Sequence, residues 1–362
     1  MPNIELIKMG IKNLNKILQK YCPEVFQPVH ISEYAFERIA IDISHYLYTY
    51  KISRGEMWLL SFFNLISCLR KNNVHCVFLY DNGCPPEKAL AHEKRSKSKS
   101  SSFLRISDQE KSLQNYCDSG QIDDVLIKLN KDSNKGTLPG LLNPERENII
   151  NVNACKMEIG RKKSQQVVIT EEDCLLTKQL FDILKVPWFD AVLEAETSCA
   201  DLCIREHVVA VISEDTDVLA YGTPIQLSKF DTMTGNCIRV CHQDVLEGLE
   251  FSQDSFLDMC IMCGTDYNDN IPGVGMIGAH QNIKQYKSIE NIKEQTSLDI
   301  TNLNHTRSRE LFKKYKNLEV EIPYCGNPDF EKLQEFSKKH KLNLNIRKIQ
   351  EDMTRDSVVS FE

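Results

Sequence analysis

No run of apolar residues approaches the roughly 18 needed to cross a bilayer, and no continuous apolar stretch precedes Met9 as a secretory leader would require. The expectation is a soluble intracellular chain that does not engage a membrane. Framework spacing is missing from the cysteines. There are fourteen, scattered over 362 residues, which reads as reduced, mostly buried thiols rather than a disulfide scaffold. Cys260 and Cys263 form a lone CxxC in an apolar helical run, while Cys199/Cys203 and Cys237/Cys241 are four apart. None has the second well-spaced pair that a zinc site needs. The nine histidines lack ligand-like spacing, and no Ser-His-Asp or Cys-His arrangement and no P-loop stands out. An excess of positive charge is also missing. The formal net charge is −7, so the field of the whole chain does not attract a polyanion, which would have to bind at local basic patches or through bound cations. No internal repeat is evident.

What is present is enough apolar material, 41% of the residues, for a sizeable core or a core with a lobe attached. Arg38–Ile43 reads as a strand through Asp42. His45–Lys71 reads as helical, and Val74–Tyr80 as a buried strand running into Asp81. This β-α-β order predicts an α/β fold, a mostly parallel sheet flanked by helices. Lys94–Ser102 is basic and low in complexity. From about Ser107 to Gln166 the chain is polar, without sustained apolar periodicity, and reads as a partly helical, mobile excursion or as a disordered loop. Order resumes at Thr170, a helix N-cap followed by first-turn acids, and the helix runs to about Leu184. Val186–Phe189 reads as a short strand, Glu194–His207 as a helix and Val208–Ile212 as an apolar strand ahead of Ser213-Glu214-Asp215-Thr216-Asp217. Ile225–Phe230 and Cys237–Cys241 bracket a hairpin turn. Asp254–Cys263 reads as a helix capped by Gly264, followed by Asp266, a turn at Ile271-Pro272-Gly273-Val274-Gly275 and another helix. Polar helices around Arg309–Tyr315 and Phe330–Lys339 close the chain.

The acids at these junctions carry the chemistry. Asp42 and Asp81 sit at C-terminal strand ends, the edge where open α/β sheets bind ligands. Asp215 and Asp217 follow a third strand, and spacing of two in an extended segment points both side chains the same way. Glu194 and Glu196 open a helix, and Asp266 follows a helix end. Each alone reads more readily as a turn or cap residue. If all seven share one sheet edge, they repel one another unless they take up protons or hold hard cations. Mg²⁺ takes oxygen ligands, and two such ions about 4 Å apart serve phosphodiester hydrolysis.

The blocks Met9-Gly10-Ile11-Lys12-Asn13-Leu14, Ile41-Asp42, Tyr80-Asp81 with Pro85-Pro86, Leu193–Ala200, Ser213–Asp217, Gly264-Thr265-Asp266-Tyr267 and Ile271–Gly275 resemble, in order, the flap structure-specific endonuclease (XPG) family of 5′ nucleases. The resemblance implies a PIN-like, resolvase-like sheet, an inserted arch and a helix-two-turn-helix. It divides the chain into 9–95 (first half of the core), 96–166 (arch), 167–266 (second half of the core), 267–290 (helix-two-turn-helix) and 291–362 (C-terminal helices). It implies a structure-specific DNA endonuclease and 5′ exonuclease, cutting 5′ flaps or related branched DNA in replication and repair. Two Mg²⁺ ions, replaceable by Mn²⁺, would be held by Asp42, Asp81, Glu194 and Glu196 and by Asp215, Asp217 and Asp266. Lys88 and Arg95, 7 and 14 residues after Asp81, would steady the phosphate. Tyr48 would stack on a base. Gly10 would lie by the DNA, and the turn at Gly273 and Gly275 would meet duplex phosphate, with K⁺ on the carbonyls of Ile271 and Val274.

The chain departs from the pattern in several places. Eight residues precede Met9, so Met9 is an alternative start. Met276-Ile277-Gly278 stand where basic residues are usual, Asn270 where serine is common, and no sliding-clamp motif or basic tail closes the chain. The expected partner is branched or flapped DNA, the expected state a monomer, and the expected compartment the nucleus, or the host nucleus if the chain is viral. A non-catalytic DNA-binding relative and a PIN-like ribonuclease are the alternatives.

Overall fold

The computed structural model describes residues 10–134 and 150–354. Met9 and the Thr137-Leu138-Pro139-Gly140 turn lie outside the described residues. The chain folds as two compact units. One takes in the chain through Tyr50, Glu56–Ala89 and everything from Ile169 on; the other comprises Lys51–Gly55 and Leu90–Val168.

The larger unit is built on seven strands: β1 (Gln27–His30), β2 (Arg38–Asp42), β3 (His75–Tyr80), β4 (Trp188–Asp190), β5 (Ala210–Ile212), β6 (Ile225–Ser228) and β7 (Asn236–Cys241). Their order in the sheet is β1-β7-β6-β5-β2-β3-β4. The five strands from β6 to β4 are parallel to their neighbours, while β7 and β1 extend the sheet antiparallel. The interiors of the central strands are apolar because both faces are covered. Alternation decides which residue faces which way. Ile39, Ile41, Cys76, Phe78, Ala210 and Ile212 share one core with the helix Trp58–Lys71, whose Leu59, Phe62, Phe63, Ile66 and Leu69 make a helical stripe. Phe78 stacks on Phe181 with ring centroids 4.2 Å apart. Ala40, Val77, Leu79 and Val211 face the other way, onto Ala195, Cys199, Leu202 and Cys203 of the helix Ala195–Ile204. A further apolar cluster joins helix Leu14–Tyr21 to Gln253–Cys263 and Met276–Tyr286.

Several elements differ from the sequence reading. The stretch expected as helical over 45–71 consists of two helices, Ile43–Arg54 and Trp58–Lys71, separated by a 3-10 turn at Gly55–Met57. Gly55 adopts φ +52°, which an α-helix does not allow. The capping box at Thr170 forms with Asp173, and the helix runs Glu171–Leu184. A third terminal helix, Ile346–Thr354, follows Phe330–Lys339.

The second unit is far more regular than its composition implied. One helix, Ala89–Ser119, runs without interruption through the basic low-complexity stretch and across the expected boundary at 95/96. Asp124–Ser133 and Val152–Ser164 follow. Ile106, Leu113, Leu126, Leu129, Ile150, Cys155 and Ile159 bury together. These apolar residues are sparse but helically spaced, at 106/113 and 155/159, so one narrow seam suffices where no broad stripe exists. Arg161 pairs with Glu158 and Lys163 with Glu110, so that basic run is held within its own unit.

Candidate functional site

The register of β2, β3 and β5 sets the site. Asp42 ends β2 opposite Leu79 of β3, and Ile41 pairs with Ile212 of β5. Asp42, Asp81 and the Ser213–Asp217 segment therefore leave the sheet at the same C-terminal edge. Ser44 ties the first two together: its N–H donates to Asp42 Oδ1 over 2.9 Å, and its hydroxyl to Asp81 Oδ2 over 2.5 Å. The other Asp81 oxygen accepts from the N–H of Ala195, 2.8 Å away, at the positive end of the helix Ala195–Ile204. Asp81 itself is solvent-exposed, whereas Asp42 is buried. Burial and the nearby charge of Asp81 push the Asp42 carboxyl up to about 8.

Glu194 is the N-cap residue of that same helix and Glu196 lies in its first turn. Both are buried, and both meet Lys88. Pro85-Pro86 opens a 3-10 turn, Pro86–Lys88, that delivers this lysine to the site. Lys88 Nζ donates to Glu194 Oε1 and to Glu196 Oε1, the latter over 2.9 Å, and stands 3.4 Å from Asp266 Oδ2. Burial alone would discharge it. The charges of Glu196, Glu194 and Asp266 outweigh burial and hold the ammonium protonated above its ordinary range. The Lys88 side chain is only 9% exposed, so it does not belong to a solvated basic face.

The Asp215–Asp217 segment is not extended, as the sequence reading assumed. Thr216 is helical in its backbone and Asp217 begins a short helix, Asp217–Ala220. The Asp217 N–H donates to Asp215 Oδ1 over 2.9 Å, an Asx turn that brings both carboxylates to one side by a different route. Gln226 of β6 clamps the turn through the carbonyls of Ser213 and Asp215, each 2.9 Å away. Oxygens of Glu196, Asp215 and Asp217 lie within 4.8 Å of one another, the one such grouping of acid, histidine or cysteine ligand atoms among the described residues. This grouping cuts across the two metal sets that the family resemblance implied. Asp217 Oδ1 is buried without a hydrogen-bond partner. Burial, then Asp215 and Asp266, push the Asp217 carboxyl well up. Burial, eased by Lys88 but reinforced by Asp215 and Asp217, does the same to Glu196. Oxygen donors only, a buried unpartnered carboxylate oxygen and mutual repulsion together fit hard divalent cations.

Three residues that the sequence reading left without a role belong here. Ser44 bridges two acids, and its position two residues after Asp42 was a local turn signal. Tyr267 donates its hydroxyl to Glu194 Oε2 over 2.8 Å, and the Tyr221 hydroxyl lies 2.5 Å from that of Tyr267. Adjacency to Asp266 was the one hint for Tyr267; nothing local pointed to Tyr221. Tyr48 is half-buried on the helix Ile43–Arg54. Arg95 lies in the second unit, half-buried on the helix Ala89–Ser119. Gly273 and Gly275 occupy the exposed loop ahead of Met276–Tyr286, with Gly275 as N-cap. The cysteine pairs are plain thiols: all fourteen are unpaired, and Cys199, Cys203, Cys260 and Cys263 are buried, which raises each of them.

Family models for the XPG N-terminal domain and the XPG I-region match residues 9–102 and 185–266. The chain is 34% identical over 335 residues to a probable RAD2-like endonuclease of Invertebrate iridescent virus 3, covering 86% of this chain and 87% of that one. It is 33% identical over 300 residues to flap endonuclease 1 of Enterocytozoon bieneusi, covering 78% and 72%. Among solved structures it resembles the catalytic core of Rad2 in complex with DNA substrate, with a TM-score of 0.66 at 16% identity, covering 95% of this chain and 99% of that one. The flap endonuclease-1 of Methanococcus jannaschii gives 0.58 at 18%, covering 91% and 95%. Sequence likeness over most of both chains, joined to the same nuclease fold, places this chain in the XPG family of 5′ nucleases.

Proposed function

We propose that this chain is a structure-specific DNA endonuclease that hydrolyses phosphodiester bonds at 5′ flaps or related branched DNA with bound Mg²⁺. The observation that carries the reading is the buried carboxylate group of Glu196, Asp215 and Asp217, with its unpartnered Asp217 oxygen, beside Asp42 and Asp81 at one sheet edge. Asp42, Asp81, Glu194 and Glu196 would hold one ion and Asp215, Asp217 and Asp266 the other, with Glu196 lying where the two sets meet. When bound, a metal pair supplies Lewis-acid stabilisation of the scissile phosphate and a more acidic attacking water.

The chain's own groups bind and orient. Lys88 stands among three of the acids with its charge intact, and would offer that charge to a phosphate oxygen at this edge. Arg95 is its proposed companion and Tyr48 the proposed stacking surface for a base. The helical second unit serves as the arch that meets single-stranded DNA. The helix Met276–Tyr286 has no side-chain N-cap, so its first N–H groups are available to duplex phosphate beside Gly273 and Gly275. Met276, Ile277 and Gly278 add no charge there, so this grip depends on backbone groups. The protein acts as a monomer, in the nucleus or in a host nucleus.

The test is cleavage mapping on labelled flap, gap, bubble and four-way DNAs, with Mg²⁺ and with EDTA, and with Asp217→Ala in parallel. Mg²⁺-dependent cuts near a junction that vanish in EDTA and in the variant are expected. Equal cleavage by the variant would sink the site assignment, and cleavage of RNA alone would sink the substrate.

A further inference from the structure

The loop between Gln253–Cys263 and Met276–Tyr286 turns at Ile271-Pro272-Gly273-Val274. Proline second, Gly273 third at φ +80° and the Val274 N–H donating to Ile271 O over 3.0 Å make a type II turn. The family resemblance implied a monovalent cation on the carbonyls of Ile271 and Val274. The residues present do not fit that ion. Asn270 Nδ2 lies 3.2 Å from Ile271 O and 3.3 Å from Val274 O. A side-chain amide nitrogen carries two N–H donors, one for each carbonyl. With no ion between them, turning the amide over would set its oxygen against two carbonyl oxygens, so the partners assign the nitrogen, and an entering ion would have to turn the amide and break both hydrogen bonds. A cation shared by those two oxygens would have to stand where this nitrogen stands.

Lys12 adds a second obstacle. Its N–H donates to Gly264 O over 3.2 Å. A Cβ placed on Gly264 would lie 3.2 Å from Lys12 Nζ and 3.2 Å from the Asn270 N. The lysine ammonium and the Asn270 backbone thus both lie beside Gly264, which puts a positive charge in the neighbourhood of the turn.

We propose that Asn270 replaces the monovalent cation in this chain: its amide holds the turn's two carbonyls and preorganises the loop without potassium. A serine in that place has a single hydroxyl hydrogen and cannot donate to both carbonyls at once, which leaves oxygens for an ion to gather, as carbonyl rings do for K⁺. The consequence for DNA rests on the proposed duplex-binding role of this loop; the replacement itself does not.

Two measurements on the full chain test it. Melting of the DNA-free protein is followed in potassium, lithium and tetramethylammonium chloride at one ionic strength. Binding of a fluorescent flap DNA is followed in the same salts, with Ca²⁺ in place of Mg²⁺. The wild type should melt alike in all three and bind within about twofold. Asn270→Ser should become potassium-responsive, binding about fivefold tighter in potassium than in lithium. A wild type that melts higher or binds severalfold tighter only in potassium overturns the proposal. The wild-type comparison is decisive even if the variant misfolds. Absence of flap binding in every salt refutes the DNA reading instead, and the melting series still decides the role of Asn270.

Discussion

Gly10 stands against Asp215: a Cβ on Gly10 would lie 2.0 Å from Asp215 Oδ1 and 3.0 Å from the Thr216 hydroxyl. Gly10 also adopts φ +78°, in the left-handed region. Close approach and backbone angle both require glycine. Gly10→Ala should displace the Asp215 carboxylate and lower kcat by about 100-fold, since a misplacement of about 1 Å costs that much. Single-turnover cleavage of a flap DNA measures it, with circular dichroism to confirm an intact fold.

Lys88 is one counter-charge that three acids share in the absence of metal. Lys88→Met keeps the stem and removes the charge. In EDTA the variant should lose about 3 kcal/mol of stability, the usual cost of leaving buried charges unpaired. Mg²⁺ should restore most of that loss while kcat stays low. Denaturant melts with and without Mg²⁺ check the first part, and a variant equally unstable in both conditions would contradict it.

Tyr267 gives Glu194 its second hydrogen bond, and burial together with Tyr221 and the neighbouring acids keeps its phenol protonated and donating. Tyr267→Phe preserves the ring and leaves Glu194 Oε2 without that donor. Support of this kind is worth about 10-fold in metal affinity. The Mg²⁺ concentration for half-maximal cleavage should rise by that factor, and calorimetric metal binding should weaken in parallel. A fall in kcat at saturating Mg²⁺ with unchanged metal affinity would contradict the assignment.

His45 is buried near Tyr46 and Thr49, and burial lowers its imidazole from 6.5 to about 4. Its folded value is depressed, so the unfolded chain takes up the proton first. The stability it contributes is whole above pH 6.5 and declines as pH falls from 6.5 towards 4. The shift corresponds to about 3 kcal/mol at its limit. Unfolding free energy measured from pH 7.5 to 4.5 should fall less steeply in His45→Phe than in the wild type.

The junctions were legible because they are local. Apolar runs ending in acid mark strand ends, so Asp42, Asp81 and Asp215 could be placed on one sheet edge from alternation and order alone. The helix with the Thr170 capping box was legible for the same reason. The second unit was not: among the described residues its core is seven apolar side chains dispersed through polar sequence, and serine and lysine in a helix give no periodic signal. The Asx turn at Asp215 was misjudged because a spacing of two fits both an extended segment and a turn.

The sequence by itself determined which acids exist, their order and the strand ends they occupy, because backbone alternation and side-chain polarity act over a few residues. Only the tertiary structure decided what those acids touch. Lys88 reaches Glu196 across 108 positions and Tyr267 reaches Glu194 across 73. Contacts over such separations follow from the crossing of packed elements. They set a basic residue read as a phosphate contact among three acids, and make an unassigned tyrosine the support of a carboxylate.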